Sequence, residues 1–135
     1  FNETPILLWR SGLDAQTTTS GTPVEHNSAR RLEFALWSGE LVKVDWGGYF
    51  SQDDASSDME ASIGVDSATV SESGSERFAH EAVASERLPF HSAAVRSGLA
   101  EGYHYATILH RRVTAAGTVT TTAGSGSVFI SGPRG

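Results

Sequence analysis

The sequence predicts an all-β fold, an antiparallel β-sandwich or jelly roll of about eight short strands. Three observations support this prediction. Apolar and polar residues alternate with a period of two in several segments. Helical periodicity is scarce, and its best example is the short, polar segment 75–85. Glycine-containing turns separate the alternating segments at intervals of about ten residues, a spacing typical of sandwiches and barrels.

The composition excludes several classes of protein. A chain of 135 residues is the size of one domain. Because it has no cysteine, it forms neither a disulfide scaffold nor a thiolate metal site. Its formal net charge of -6 argues against binding to duplex nucleic acid, and no apolar run approaches the roughly 20 residues of a membrane span. We therefore expect no cofactor, no nucleic-acid partner and no membrane insertion.

The N-terminal part of the chain is predicted to be an arm over residues 1–28, followed by the jelly-roll domain over residues 29–135. The chain begins with Phe1 rather than Met, which suggests a processed product or a piece of a longer polypeptide. Within the arm, residues 5–9 predict one short strand, and the Thr- and Ser-rich segment 13–28 predicts a loop. The apolar residues by which the arm would dock on another protein are Ile6, Leu7, Leu8 and Trp9.

The clearest strand signal lies in residues 31–46. Two alternating runs are separated by Ser38, Gly39 and Glu40, which predicts a β-hairpin with a three-residue connection. The glycine pair at residues 47–48 is predicted to end the second strand. The apolar residues predicted to face the core are Leu32, Phe34, Leu36, Val42, Val44 and Trp46.

Five further segments complete the predicted sandwich. In chain order they are residues 59–65, 88–95, 103–113, 118–122 and 127–131. The first alternates as a half-buried strand after an acidic loop at residues 51–58. Pro89 places the second at an edge or at a strand start. The third carries apolar groups on both faces, which indicates a central strand, and a glycine turn at residues 124–126 is predicted to separate the last two.

Three segments carry a resemblance to a known family. The first is residues 41–46, which lead into a Ser- and Asp-rich loop. The second is MEASIGVDSATV at residues 59–70, a strand followed by a turn at Asp66. The third is GLAEGYHYATI at residues 98–108, followed by a short glycine hairpin and the terminal strand. Their order resembles the small jelly-roll domains of bacteriophage virion proteins, of the tumour-necrosis-factor-like or complement-head-like type. The resemblance covers about residues 32–131 and implies a homotrimer on the virion surface, with a structural or attachment role. The implied partners are further copies of the chain and a capsid shell or fibre stalk.

The long strand at residues 103–113 is the predicted subunit contact. We expect a sandwich of this size to bury one face of that strand internally and the other against a neighbouring subunit. The alternative is that both faces are buried by the two layers of a monomer. The interface candidates are Tyr103, Tyr105, Leu109, His104 and His110.

No motif in the sequence predicts catalysis. There is no Gly-x-Ser-x-Gly elbow opening a helix and no His-Glu-x-x-His zinc motif. We therefore expect no catalytic residue, and a hydrolase is only the third candidate function. The acidic residues Asp53, Asp54, Asp58 and Glu60 are a weak calcium site, for which a solvated acidic loop is the simpler interpretation.

Exposed aromatic residues leave carbohydrate binding as the second candidate function. Rings on the outside of a sandwich can stack on sugars. Trp37 alternates with charged residues and so is predicted to face outward, and Tyr49 follows the glycine pair. These two residues are the sugar-stacking candidates, and a cell-surface glycan would be the corresponding partner.

Overall fold

Two five-stranded antiparallel sheets make up the fold. The computed structural model describes residues 6–114 and 116–132, with the backbone alone at residues 6 and 8–10. The elements are β1 (Ile6–Arg10), β2 (Asp14–Thr18), β3 (Val24–Glu25), a 3-10 turn (Ser28–Arg30), β4 (Leu32–Leu36), β5 (Leu41–Gln52), β6 (Ser57–Val65), β7 (Arg77–Glu81), β8 (Leu88–Arg96), β9 (Gly102–Arg112) and β10 (Val119–Ser131). The all-β prediction is confirmed, with ten strands instead of about eight.

Strand order identifies the sandwich as a jelly roll. One sheet has the order β1–β10–β5–β8, with β2 also paired to β10; we refer to it as the β10 sheet. The other has the order β3–β9–β6–β7, with β4 also paired to β9; we refer to it as the β9 sheet. The chain passes repeatedly from one sheet to the other, and its last two strands fill interior positions in both, as in a double Greek key. The prediction that β9 is central and that Pro89 lies on an edge strand is confirmed.

The predicted core residues are confirmed. Val42, Val44 and Trp46 point inward from β5 and are at most 2% exposed. The three apolar residues of β4 face them from the β9 sheet, and Phe34 is 3% exposed. Alternation therefore identified the buried face of both strands correctly.

The hairpin predicted for these same strands is wrong. β4 pairs with β9, whereas β5 pairs with β10 and β8, so the connection between them crosses from one sheet to the other. The carboxylate of Glu40 accepts a hydrogen bond of 2.7 Å from the backbone N–H of Trp37, which holds this crossing. Both strands direct their apolar residues at one core. A hairpin and a connection between the two sheets therefore show the same alternation in the sequence.

The two predicted glycine breaks are also wrong, because β5 and β10 run through them. β5 continues past Gly48, and β10 continues past Gly126 with a bulge beside it. A Cβ atom on Gly48 would clash with the carbonyl oxygen of Thr122, and one on Gly126 would lie 2.5 Å from the ring of Trp46. These glycines therefore serve close packing within the strands, and they do not form turns.

Two other segments differ from expectation. Residues 13–28, expected to be a loop, contain β2 and β3, which pair with β10 and β9. Thr and Gln occupy most of β2, so its two faces differ too little in hydrophobicity for alternation to reveal the strand. Residues 75–85, the best helical candidate, contain β7, which pairs with β6. The part of the chain that the structure describes holds no helix with the length and hydropathy to cross a membrane.

Strand β6 is buried on both sides, although the sequence predicted a half-buried strand. The connection over residues 66–76 covers its outer side. Ser62 and Ser71 share a hydrogen bond of 2.7 Å between their hydroxyls, and the fully buried Ser75 accepts one of 3.1 Å from the N–H of Ile63. The outer side of β6 is therefore closed to solvent by the chain itself.

Candidate binding surfaces

The five residues predicted to form a subunit interface do not share one surface. Leu109 and His110 are buried within the single chain, at 0% and 2% exposure. The side chain of His104 is 9% exposed and stacks on Phe34. Contrary to expectation, no neighbouring subunit is required to bury both faces of β9 near Leu109, because the chain covers them itself. Among these candidates, Tyr103 remains fully available, at 91% exposure.

A shallow cleft lies beside Tyr103 on the outer face of the β9 sheet. The register of β4 with β9 places Ala35 opposite Tyr103 and Glu33 opposite Tyr105, all on the face away from the core. Glu33, Tyr103, His104 and Tyr105 line the cleft, which has a volume of about 220 Å³. Because Ala35 is small, nothing on β4 covers the Tyr103 ring. We call this feature the Tyr103 cleft.

One wall of the Tyr103 cleft is fixed by a stack of charged and aromatic groups. The guanidinium of Arg31 lies 4.0 Å from the centre of the Tyr105 ring. Arg31 also donates two hydrogen bonds, of 2.6 and 2.8 Å, to the carboxylate of Glu25. These bonds hold the pKa of Glu25 below its ordinary value. The Arg31 guanidinium is therefore already paired with groups in the wall of the cleft.

The floor of the Tyr103 cleft is fixed by the aspartate turn that the sequence motif contains. Asp66 adopts a left-handed φ of 55°, which Asp tolerates better than most residues. Its carboxylate accepts a hydrogen bond of 2.5 Å from Nδ1 of His104 and one of 3.0 Å from the N–H of Tyr105. Since Nε2 of His104 also faces a carbonyl, that of Ala100 at 2.7 Å, both ring nitrogens have acceptors. The hydrogen bond to Asp66 accordingly raises the pKa of His104.

The two sugar-stacking candidates lie on different surfaces. Trp37 directly follows β4, is 50% exposed and continues the outward face that Ala35 begins. Tyr49 is half-buried on the outer face of the β10 sheet, where the guanidinium of Arg87 lies 5.1 Å from its ring centre. Sequence reasoning did not identify Tyr103 as a stacking residue, because its exposure depends on the small Ala35 opposite it.

No three of the four acidic residues considered for calcium come together as a metal site. Asp53 accepts a hydrogen bond from the N–H of Thr118, Asp58 pairs with His80, and Asp54 is exposed. Glu60 is buried and accepts 2.7 Å from Nε of Arg111. Within residues 6–114 and 116–132, no group of three or more such side chains is arranged to hold a metal ion.

The Glu60–Arg111 pair borders a second groove on the β9 sheet. The groove, of about 600 Å³, is lined by Pro23, Glu60, Ser71, Glu76, Phe78 and Arg111. Phe78 is 62% exposed, and the Arg111 guanidinium lies 5.9 Å from its ring centre. The principal charged groups of this groove therefore bind each other.

A line of apolar side chains crosses the outer face of the β10 sheet. Leu7 lies opposite Phe129, Phe129 opposite Lys43, and Lys43 opposite Val95. Leu7, Phe129 and Val95 are 59%, 38% and 61% exposed, and Leu41 adds a fourth apolar group two residues before Lys43. We call these four residues the apolar row. Of the predicted arm-docking residues, Leu7 belongs to it, whereas the side chains of Ile6, Leu8 and Trp9 lie outside the described part of the chain.

The charged groups beside the apolar row neutralise one another. Asp45 lies 3.6 Å from Nζ of Lys43 and 3.3 Å from Nε2 of His91, all on the outer face. This surface therefore contributes little to the net charge of -6. Its signal in the sequence is the presence of Leu41, Phe129 and Val95 at positions where alternation leads one to expect polar residues.

Two histidines lie between the sheets. The Nε2–H of His26 donates a hydrogen bond of 2.8 Å to the carbonyl of Thr121, and His110 shares one of 2.8 Å with the Thr121 hydroxyl. Their ring centres are 5.2 Å apart. Burial lowers the pKa of His110 to about 4 and also lowers that of His26. Both side chains are enclosed, so their role is to join the two sheets.

No protein-family model and no curated protein matches this chain. Similar solved structures include the VP2 subviral particle of infectious bursal disease virus, at 10% identity and a TM-score of 0.53. That match covers 95% of this chain and 33% of VP2, so the chain spans about a third of VP2. The sugar-binding C-terminal domain of EclA is 7% identical with a TM-score of 0.43, over 86% of this chain and 76% of its own. A family two carbohydrate esterase from Cellvibrio japonicus is 13% identical with a TM-score of 0.32. That match covers 96% of this chain and 35% of the esterase chain.

The match to VP2 shows that the two proteins share a fold. At 10% identity it shows nothing about activity. The TM-scores of the other two structures are too low to support a conclusion.

Proposed function

We propose that this chain is a non-enzymatic structural protein of a bacteriophage virion. In this proposal a homotrimeric jelly roll on the virion surface decorates or stabilises the capsid, or caps a tail fibre for host attachment. The order of sequence motifs resembles that of phage virion jelly rolls, and the fold is shared with a protein that forms a subviral particle. The observation that carries the proposal is the apolar row.

The apolar row has the properties of a protein–protein contact. Contiguous exposed apolar surface marks association sites, and the centres of interfaces are depleted in charge. Leu7 and Phe129 lie directly opposite each other, and Val95 lies on the same face across Lys43, which is paired with Asp45. In a three-fold ring each copy contacts a different surface of the next, so the row would supply one side of each contact.

The oligomeric state tests this contact. Light scattering after size exclusion should give three times the 14.3 kDa chain mass at micromolar concentration. Phe129→Glu places a charge in the row and should shift the protein to monomer. Val83→Glu adds the same charge at another exposed apolar position, and it should leave the mass unchanged. A monomeric parent protein would contradict the trimer, and a trimer insensitive to Phe129→Glu would contradict the role of the row.

The place in the virion requires a separate experiment. Antibodies raised against the purified chain should label the outside of intact particles from a culture that expresses it. Labelling of the head would favour capsid decoration, and labelling of the tail tip would favour a fibre cap. Absence of the protein from purified particles would contradict the virion assignment.

Carbohydrate binding is the second candidate function. The observation that favours it is the 91% exposure of Tyr103 beside a cleft that Glu33 of β4 also lines. In a virion protein such a site would serve attachment to a cell-surface glycan. Tyr49, one of the two sugar-stacking residues predicted from the sequence, is a poorer platform, because Arg87 lies against its ring.

A further inference from the structure

We propose that the Tyr103 cleft binds one neutral hexopyranose ring, with Tyr103 as the stacking platform and Glu33 as the acceptor for sugar hydroxyls. This inference deepens the carbohydrate-binding candidate by naming its site and its ligand class. It does not depend on the trimer or on the apolar row, which lies on the other sheet.

The Tyr103 ring is suited to stacking because it is exposed and projects from a paired strand. Tyr103 pairs with Ala35 of β4, which holds the backbone of β9 at this position. The opposite residue, Ala35, leaves the space beside the ring open. The C–H face of a pyranose is apolar, and a sugar lying on the ring would remove aromatic surface from water while keeping the hydroxyl groups exposed.

Glu33 supplies the polar contact. It is exposed on β4, opposite Tyr105 and one pair along from Tyr103. The charge of Glu33 helps to raise the pKa of Arg31, but the hydrogen bonds of Arg31 go to Glu25. The carboxylate oxygens of Glu33 therefore remain available to hydroxyl donors, and hydrogen bonds to an ionised acceptor are stronger than neutral ones.

The rest of the cleft is already in place before a ligand arrives. Arg31 stacks on one face of Tyr105, and Asp66 holds the backbone N–H of Tyr105 and the ring of His104. A site whose walls do not reorganise loses less entropy on binding. The cleft can thus hold a small ligand with only two principal contacts.

Size and charge select the ligand class. A volume of about 220 Å³ lies below the range of roughly 300–1,000 Å³ for drug-sized ligands and suits a single ring. An acidic sugar would meet the negative charge of Glu33 and of the whole chain, which carries -6. The expected ligand is therefore a neutral hexose at the end of a glycan.

Amide chemical shifts of the ¹⁵N-labelled protein test the site directly. Titration with the methyl glycosides of galactose, glucose and mannose should give saturable shifts at residues 33, 35, 103 and 105 for at least one of them. Tyr103→Ala should weaken that binding about tenfold or more, whereas Tyr103→Phe should keep it within about twofold. Glu33→Gln should weaken it several-fold, and Tyr49→Ala, on the other sheet, should change nothing.

Three results would overturn the inference. They are the absence of saturable shifts with all three glycosides, binding that Tyr103→Ala leaves intact, and shifts at the cleft caused only by N-acetylneuraminic acid or by arginine. Light scattering of Tyr103→Ala separates this failure from that of the structural proposal. Loss of the trimer in this variant would show that Tyr103 is a subunit contact, which removes the sugar site but supports self-association.

Discussion

Single glycine residues determine how closely the strands of the β10 sheet pack. Gly126 lies beside the bulge of β10, where the ring of Trp46 occupies the space that a Cβ atom would need. Trp46 is itself 2% exposed and central to the core. The sequence shows these glycines but not this purpose, because the atoms that they approach belong to another strand.

Substitution of Gly126 tests this packing. Gly126→Ala should lower the free energy of unfolding by about 1–3 kcal/mol, the usual range for overpacking, because the methyl group would displace the Trp46 ring. Gly21→Ala is the matched control, since nothing lies within 4 Å of its Cβ position. Urea denaturation measures both variants, and equal effects would contradict the close contact at Gly126.

At the scale of elements, pairs of strands decide which polar groups are buried. Glu60 on β6 lies directly opposite Arg111 on β9, accepts a hydrogen bond of 2.7 Å from its Nε, and forms an ion pair with its Nη2 at 2.6 Å. The carboxylate is 3% exposed, so it depends on this one cation. Alternation predicted Glu60 to be exposed in an acidic loop or on a polar face. A local pattern carries no information about residues 66–76, which cover this side of β6.

Removal of the cation should be far more damaging than removal of the pair. Arg111→Met leaves a buried carboxylate without its counter-charge and should lower the free energy of unfolding by about 3–5 kcal/mol. Glu60→Leu combined with Arg111→Met should recover most of that loss, since no buried charge remains. Urea denaturation of the single and double variants measures the coupling, and additive effects would contradict it.

At the scale of the whole molecule, His26 and His110 connect the two sheets. Both hydrogen-bond to Thr121 of β10, although His110 belongs to β9 and His26 follows β3. Burial favours their neutral forms, and it lowers the pKa of His110 from 6.5 to about 4. Between these two pH values the unfolded chain binds more protons than the folded chain, so the sandwich loses stability as the pH falls.

The pH dependence can be measured against a variant that does not titrate. From the lowered pKa of His110, we expect its contribution to fall by about 2 kcal/mol between pH 7 and pH 5. His110→Asn should remove this part of the slope. The raised pKa of His104 acts in the opposite sense, because its contribution to stability is complete below the ordinary value and is lost as the pH rises above it. His104 is present in both proteins, so its contribution cancels when the two pH profiles are compared. Parallel pH profiles for the two proteins would contradict the role of His110.

The sequence by itself determined the all-β class and the inward faces of the main strands. Leu32, Val42 and Ile63 are buried where their alternation placed them, because the two-residue period of a strand is a local property. The aspartate turn at Asp66 was also visible in the sequence, since it depends on one residue type and its neighbours.

Only the tertiary structure decided which strands pair, which surfaces are covered and which rings are free. Alternation could not show that β4 and β5 belong to different sheets, that residues 66–76 cover β6, or that Tyr103 is exposed beside Ala35 while Leu109 is buried. Each of these outcomes depends on contacts between residues that are distant in the chain. A local pattern records that a face is apolar, but the partner that covers it is chosen when the two sheets pack.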